Sequence, residues 1–132
     1  MLFRSRSVII CHIERMIPGM PCILDMVQTS ATLEYDLFGV ETTGLYYRTL
    51  GITMPSDAQR LDQIRQLINA GFGRQVLMSH DICFKYWLRK YGGRGYDHIL
   101  TNTIPWMRQR GFTEAEITML TVENPRRLLD RV

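Results

Sequence analysis

Gln75-Val76-Leu77-Met78-Ser79-His80-Asp81 decides the reading of this chain. A short strand pattern runs directly into a serine, a histidine and a carboxylate, and a long loop rich in aromatic and cationic residues follows. In parallel α/β proteins, sites are built at the carboxyl ends of strands. The same arrangement occurs earlier, where Val8-Ile9-Ile10-Cys11 leads into His12. Two strands thus deliver a histidine and an aspartate, both suited to metal ligation, to one end of one sheet.

Working outward, residues 8–11 are β-branched and unbroken, the pattern of a buried strand. Ile17-Pro18-Gly19-Met20-Pro21 breaks the chain, and residues 22–29 fit a short helix. Residues 32–38 alternate and are β-prone, a second strand, and residues 39–55 read as a long loop. Ser56 suits the N-cap of a helix whose apolar stripe is Leu61, Ile64, Leu67 and Ile68, with Gly71 as its stop. Residues 76–79 make the third strand. Residues 97–110 are helical with a kink expected at Pro105. Thr113 and Glu116 spell a capping box, and Asn124-Pro125 an N-cap with an N1 proline, opening a last helix through Leu128 and Leu129. The order β-α-β-α-β-α-α argues for parallel strands joined by crossover helices.

The 132 residues suit one domain, and 45% hydrophobic with 22% charged content is ordinary for a globular chain. The net charge of +3 is weak. Arg89, Lys90 and Arg94 cluster, but without the broad basic stripe of a nucleic-acid surface, so no nucleic-acid partner is expected. Cys11, Cys22 and Cys83 are odd in number and far apart, and read as buried apolar residues in a reducing compartment. Residues 8–11 are too short for a signal-peptide core, and no stretch suits a bilayer span. A soluble cytoplasmic protein without a membrane partner is the expectation.

The segments 8–15, 33–39 and 75–81, the tail Glu123-Asn124-Pro125-Arg126-Arg127-Leu128-Leu129, and above all residues 90–102 (Lys-Tyr-Gly-Gly-Arg-Gly-Tyr-Asp-His-Ile-Leu-Thr-Asn) resemble the phosphotriesterase family of the amidohydrolase superfamily. The likeness is greatest to its phosphotriesterase-related subgroup and runs from about Val8 to Leu129. It implies an α/β fold, namely strands six to eight and their helices of a (β/α)8 barrel, incomplete in this chain. Residues 8–132 are then a partial barrel domain, and residues 1–7 an extension with no family role. The resemblance makes His12 the metal-binding histidine of strand six. Asp81 becomes the strand-eight aspartate, which touches the metals and accepts a proton from the attacking water. The implied cofactor is a divalent metal, zinc by its donors, with two ions in the parent family.

The family's other ligands have no counterpart among these residues: the His-x-His pair of strand one, the carboxylated lysine of strand four and the histidine of strand five. His12 and Asp81 alone are fewer than the three protein ligands usual for a catalytic zinc, so weak or no binding is expected of them unaided. Arg15 and Leu37 stand where the organophosphate-hydrolysing branch has an acidic residue and a histidine of a proton relay. The resemblance implies hydrolysis of a phosphoester, ester, lactone or amide bond of a small-molecule substrate by metal-activated water, and these two departures count against an organophosphate-type proton relay and for amide or ester cleavage.

Other residues carry two readings each. His12 alone could be a strand-end histidine bonded to a backbone carbonyl, and Asp81 a turn cap. Glu34 and Asp36 share one strand face, where either contacts the site or pairs with Arg15. Trp87, Arg89 and Tyr91 either line a substrate pocket or sit on a solvated loop. His80 reads as a neighbour of the site rather than a ligand, and His98 as structural, at a helix start. Beside the hydrolase stands a second class of function: a non-catalytic product that self-associates, or that complements a missing N-terminal half, because an open three-stranded sheet exposes its edges.

Overall fold

The computed structural model describes residues 8–16, 19–41, 49, 51 and 54–130. The extension expected over residues 1–7 and most of the 39–55 loop lie outside them.

Among the described residues, strands β1 (Ile9–Ile10), β2 (Thr32–Tyr35) and β3 (Val76–Met78) form one parallel sheet in that order. Ile9 faces Thr32 across one ladder, and Leu33 faces Val76 across the other. Helices α1 (Ile13–Met16) and α2 (Met20–Val27) connect β1 to β2, and α3 (Asp57–Asn69) precedes β3. The expected α/β alternation with a parallel sheet is present. The one-turn helix α1 is an addition to it.

Helix α3 forms for local reasons. The Ser56 hydroxyl accepts from the Gln59 amide at 3.3 Å, and the Gln59 side chain accepts from the Ser56 amide at 2.8 Å. This is the reciprocal cap that satisfies two otherwise orphaned donors. Leu61, Ile64 and Leu67 are fully buried along one stripe. Gly71 ends the run with φ +87°, a left-handed conformation that favours glycine. Helix α2 begins two residues earlier than residues 22–29 suggest, because Pro21 falls in its first turn, where no amide donor is needed. Ile23 and Val27, four apart, turn into the core beside Leu33, Tyr35 and Val76. Each such side chain contributes about 1.5–3 kcal/mol on burial.

Two strand expectations are corrected. β2 stops at Tyr35 rather than at residue 38, because the Leu37 amide donates to the Glu14 carboxylate at 2.9 Å instead of a ladder carbonyl. β1 is not a buried strand: Ile9 is 42% exposed and Cys11 is exposed. Among the described residues β1 pairs with β2 alone, so its other edge is open.

The C-terminal segment twice handles a proline in the same way. A wide i→i+5 turn over Ile99–Thr103 precedes α4 (Ile104–Gln109), whose second residue is Pro105. Another over Met119–Glu123 joins α5 (Glu114–Thr118) to α6 (Asn124–Leu129), whose second residue is Pro125. The prolines sit where the wide turn gives way to ordinary helix, so the chain absorbs the missing donor there instead of kinking further on. Thr113 and Glu116 form the expected capping box of α5. Asn124 is not an N-cap, however. It has helical geometry, is buried, and donates through Nδ2 to the carbonyls of Gly73 and Val76, both at 2.8 Å. It tethers the last helix to the start of β3.

Candidate functional site

His12 follows β1 and Asp81 follows β3, at the carboxyl ends of parallel strands. Both lie in the left-handed backbone region, with φ +58° and +44°. Among the described residues only Ser30 joins them there as a non-glycine. Such a conformation costs about 1–2 kcal/mol for an L-residue, although His and Asp tolerate it better than most. Strain of this kind concentrates at functional sites.

Asp36, just beyond β2, holds His12 twice. Its carboxylate accepts from the His12 amide at 3.1 Å and lies 2.8 Å from Nδ1. A carboxylate on Nδ1 fixes the ring's orientation and leaves Nε2 as the free nitrogen. Burial pushes the Asp36 carboxyl up, only partly offset by the hydrogen bonds and charge of His12. Of the strand-two carboxylates, Asp36 is thus the one that contacts His12. Glu34 is engaged beside it, accepting from the Ser79 hydroxyl at 3.0 Å and from the Cys11 thiol at 3.1 Å. Ligand atoms of Cys11, Glu34 and Asp36 all lie within 4.8 Å of one another. Imidazole nitrogen and carboxylate oxygen are donor types that suit zinc, but the group close enough to share one ion among the described residues contains neither His12 nor Asp81.

The cysteines are not buried: all three are exposed. Cys11 lies at the open end of β1, Cys22 on the solvent side of α2, and Cys83 in the loop after β3. The Cys11 thiol is pushed up to about 11 by its hydrogen bond to Glu34, by burial, and by the charges of Glu34, Asp36 and Asp81. It is protonated at neutral pH and a poor nucleophile.

The loop candidates separate. Trp87 packs against Leu37, Val40 and Met54 and lines a cavity of about 310 Å³ with Phe38, His80, Ile82 and Arg94. Arg89 borders a neighbouring cavity of about 360 Å³, and it is held by Asp97 at 2.7 Å and Thr101 at 3.2 Å. Tyr91 lines neither, and the Lys85 ammonium sits 4.6 Å from its ring centroid. The loop folds closely on itself at Gly93, where a Cβ would fall 2.1 Å from the Trp87 carbonyl.

His80 accepts from the Ile99 amide at 3.0 Å, and burial together with the neighbouring His98 holds its pKa down, so the ring stays neutral. His98, at the helix start as expected, is buried with Nε2 2.7 Å from Asp57. Asp57 opens a network that the pattern reading did not find. Arg60, fully buried, donates to Asp57 at 2.7 Å and to the Val40 carbonyl at 2.8 Å, and its Nε lies 3.4 Å from Glu14. One signal was present: Arg60 shares the i, i+4, i+7 stripe with Ile64 and Leu67, a position that buries whatever occupies it.

The Phosphotriesterase family model matches residues 4–129. The N-acetyltaurine hydrolase of Dictyostelium discoideum is 45% identical over 123 residues, covering 92% of this chain and 33% of that protein. The N-acetyltaurine hydrolase of Rattus norvegicus is 42% identical, covering 93% and 35%. Among solved structures, a resiniferatoxin-binding protein from Rhodobacter sphaeroides superposes with a TM-score of 0.86 at 31% identity, over 94% of this chain and 34% of that one. A phosphotriesterase homology protein from Escherichia coli, complexed with phosphate in its active site, superposes with a TM-score of 0.78 at 29% identity, over 94% and 39%. The chain thus spans about a third of the length of the curated relatives it matches.

Proposed function

This chain belongs to the phosphotriesterase family, and from that premise we propose that it supplies strands six to eight of a (β/α)8 barrel that hydrolyses an amide or ester bond with a divalent metal. The observation that carries the reading is the pair of strained strand ends. His12 and Asp81 hold a costly backbone conformation just beyond two strands of one sheet.

In this reading His12 holds the metal through Nε2, with Asp36 locking the ring from Nδ1. Asp81 would be the second ligand, taking the proton as the water oxygen bonds to the carbonyl carbon and passing it to the nitrogen or oxygen that leaves when the C–N or C–O bond breaks. A divalent ion held by these residues would supply the activation of water, lowering its pKa to about 7. The remaining ligands come from strands outside this chain. Leu37 is buried against Val40 and Met54 and cannot pass a proton, which favours amide or ester chemistry over an organophosphate relay. The relatives named for N-acetyltaurine point to the amide.

The test joins this chain to the other two thirds of the Rattus norvegicus relative and titrates the metal-free chimera with zinc by calorimetry. His12→Ala is expected to weaken binding at one site by tenfold or more, and Asp36→Asn by about 10–100-fold. Affinity unchanged in His12→Ala would remove His12 from the metal shell.

A second reading rests on β1. Ile9 stands 42% exposed on a strand whose far edge is unpaired among the described residues. Such an edge is a template for another strand. Without the rest of a barrel, this edge pairs with a second copy. Sedimentation of the isolated chain is expected to show dimers or larger species at micromolar concentration. A monomer throughout that range rules this pairing out.

A further inference from the structure

The cavity at the ends of β2 and β3 carries one inference that deepens the hydrolase reading and rests on it for the bond that reacts. Phe38, Val40, Ile82 and Trp87 give this cavity of about 310 Å³ an apolar lining, and the volume suits a small molecule. Asp81 falls between two of its lining residues, His80 and Ile82. The Asp81 side chain itself is not part of that lining.

Two charged side chains line this cavity, Arg94 and Glu41. They form a loose ion pair with no hydrogen bond between them. The Arg94 Nη2 lies 3.8 Å from Glu41 Oε2, beyond hydrogen-bond reach. The other Glu41 oxygen accepts from the Asp57 amide at 3.0 Å, which holds Glu41 at the start of α3. Arg94 therefore keeps donors for a ligand. Its stem is also placed: a Cβ on Gly39 would fall 2.9 Å from Arg94 Cδ, and Gly39 has φ +88°. A side chain there would have to displace the flexible end of the arginine or the His98 ring. A guanidinium offers paired, planar donors that match the oxygens of a carboxylate or a sulfonate.

We propose that Arg94 is a specificity-determining residue that binds the acidic head group, carboxylate or sulfonate, of an acylated amine substrate in this cavity. The apolar lining takes the short chain between that head group and the amide.

Binding to the full chain is measured by NMR titration with three probes: 3-acetamidopropanoate, 2-acetamidoethanesulfonate and neutral N-propylacetamide. At least one anion is expected to bind tenfold or more tighter than the neutral amide, and the tighter of the two identifies the head group. Arg94→Gln is expected to erase that preference. Lys90→Gln, which removes the same charge from the same loop, is expected to keep it. Equal binding of all three probes, binding of none, or a preference that survives Arg94→Gln overturns the proposal. The chimera separates this from the hydrolase reading. Arg94-dependent binding without cleavage of any probe sinks the hydrolase reading alone, whereas equal kcat/KM on charged and neutral amides sinks the role of Arg94 alone.

Discussion

Asp81→Asn in the chimera is expected to lower kcat by about 10²–10⁴-fold, the range lost with a general acid–base group, while leaving the fold intact. Asparagine is the informative replacement. It matches aspartate in shape, and it is among the few residues that tolerate the φ of +44° found here. Backbone strain is therefore unchanged, and what is removed is the carboxylate proposed to bind metal and take the proton. Asp81→Gly separates the two effects further. Glycine adopts this φ freely, so the variant should gain up to about 1 kcal/mol of stability while losing activity to the same degree. Enhanced stability with lost turnover is the signature of a strained functional residue. An asparagine variant with near-normal kcat would show that Asp81 has no part in the chemistry.

The features legible in the sequence were those fixed by neighbours in the chain. Ser56, Gln59 and Gly71 bracket α3 because caps act within four residues. Thr113 and Glu116 did the same for α5. The strand ends bearing His12 and Asp81 were legible because a short apolar run followed by polar residues is itself local. What failed depends on distant partners. The end of β2 was misplaced because its amide finds Glu14, 23 residues away. Asn124 looked like a cap, but its side chain reaches two carbonyls around 50 positions earlier. Ile9 and Cys11 were read as buried because their composition suits a strand flanked on both sides, and composition does not report whether the flanks are present. Trp87, Arg89 and Tyr91 were grouped by proximity in sequence, whereas the loop turns them toward three different surroundings. The His12–Asp36 contact lay between these cases. The shared strand face offered such a contact as one of two readings, and the fold shows the contact itself.

The largest loss of stability is expected at Arg60, which no sequence motif marks. Its guanidinium stands between the buried carboxylates of Glu14 and Asp57, and it is fully buried itself. Burial pushes the Asp57 carboxyl up, but hydrogen bonds from His98 and Gly39 and the Arg60 charge outweigh this and hold it below the usual carboxylate range. Glu14 goes the other way: burial dominates and raises it, with the amide of Leu37 and Arg60 only partly opposing. Arg60→Met keeps most of the volume and removes the charge. Breaking a buried pair from one side typically costs about 3–5 kcal/mol, because the partner is left charged and unsolvated. Urea unfolding of the chain is expected to show a loss of that size at neutral pH. Adding Glu14→Gln should return roughly 1 kcal/mol or more, because a neutral amide no longer needs the arginine. The deficit should also shrink toward acid pH, from both sides. Glu14, with its raised pKa, takes a proton early and ceases to be an unpaired charge in the variant. Asp57, with its lowered pKa, gives the wild type stability that is present above the unfolded pKa and lost as pH falls through the folded one. If instead Arg60 only fills space, the double variant recovers nothing and the deficit is flat with pH. That outcome would leave volume, not charge, as what Arg60 contributes to the strand ends that carry His12 and Asp81.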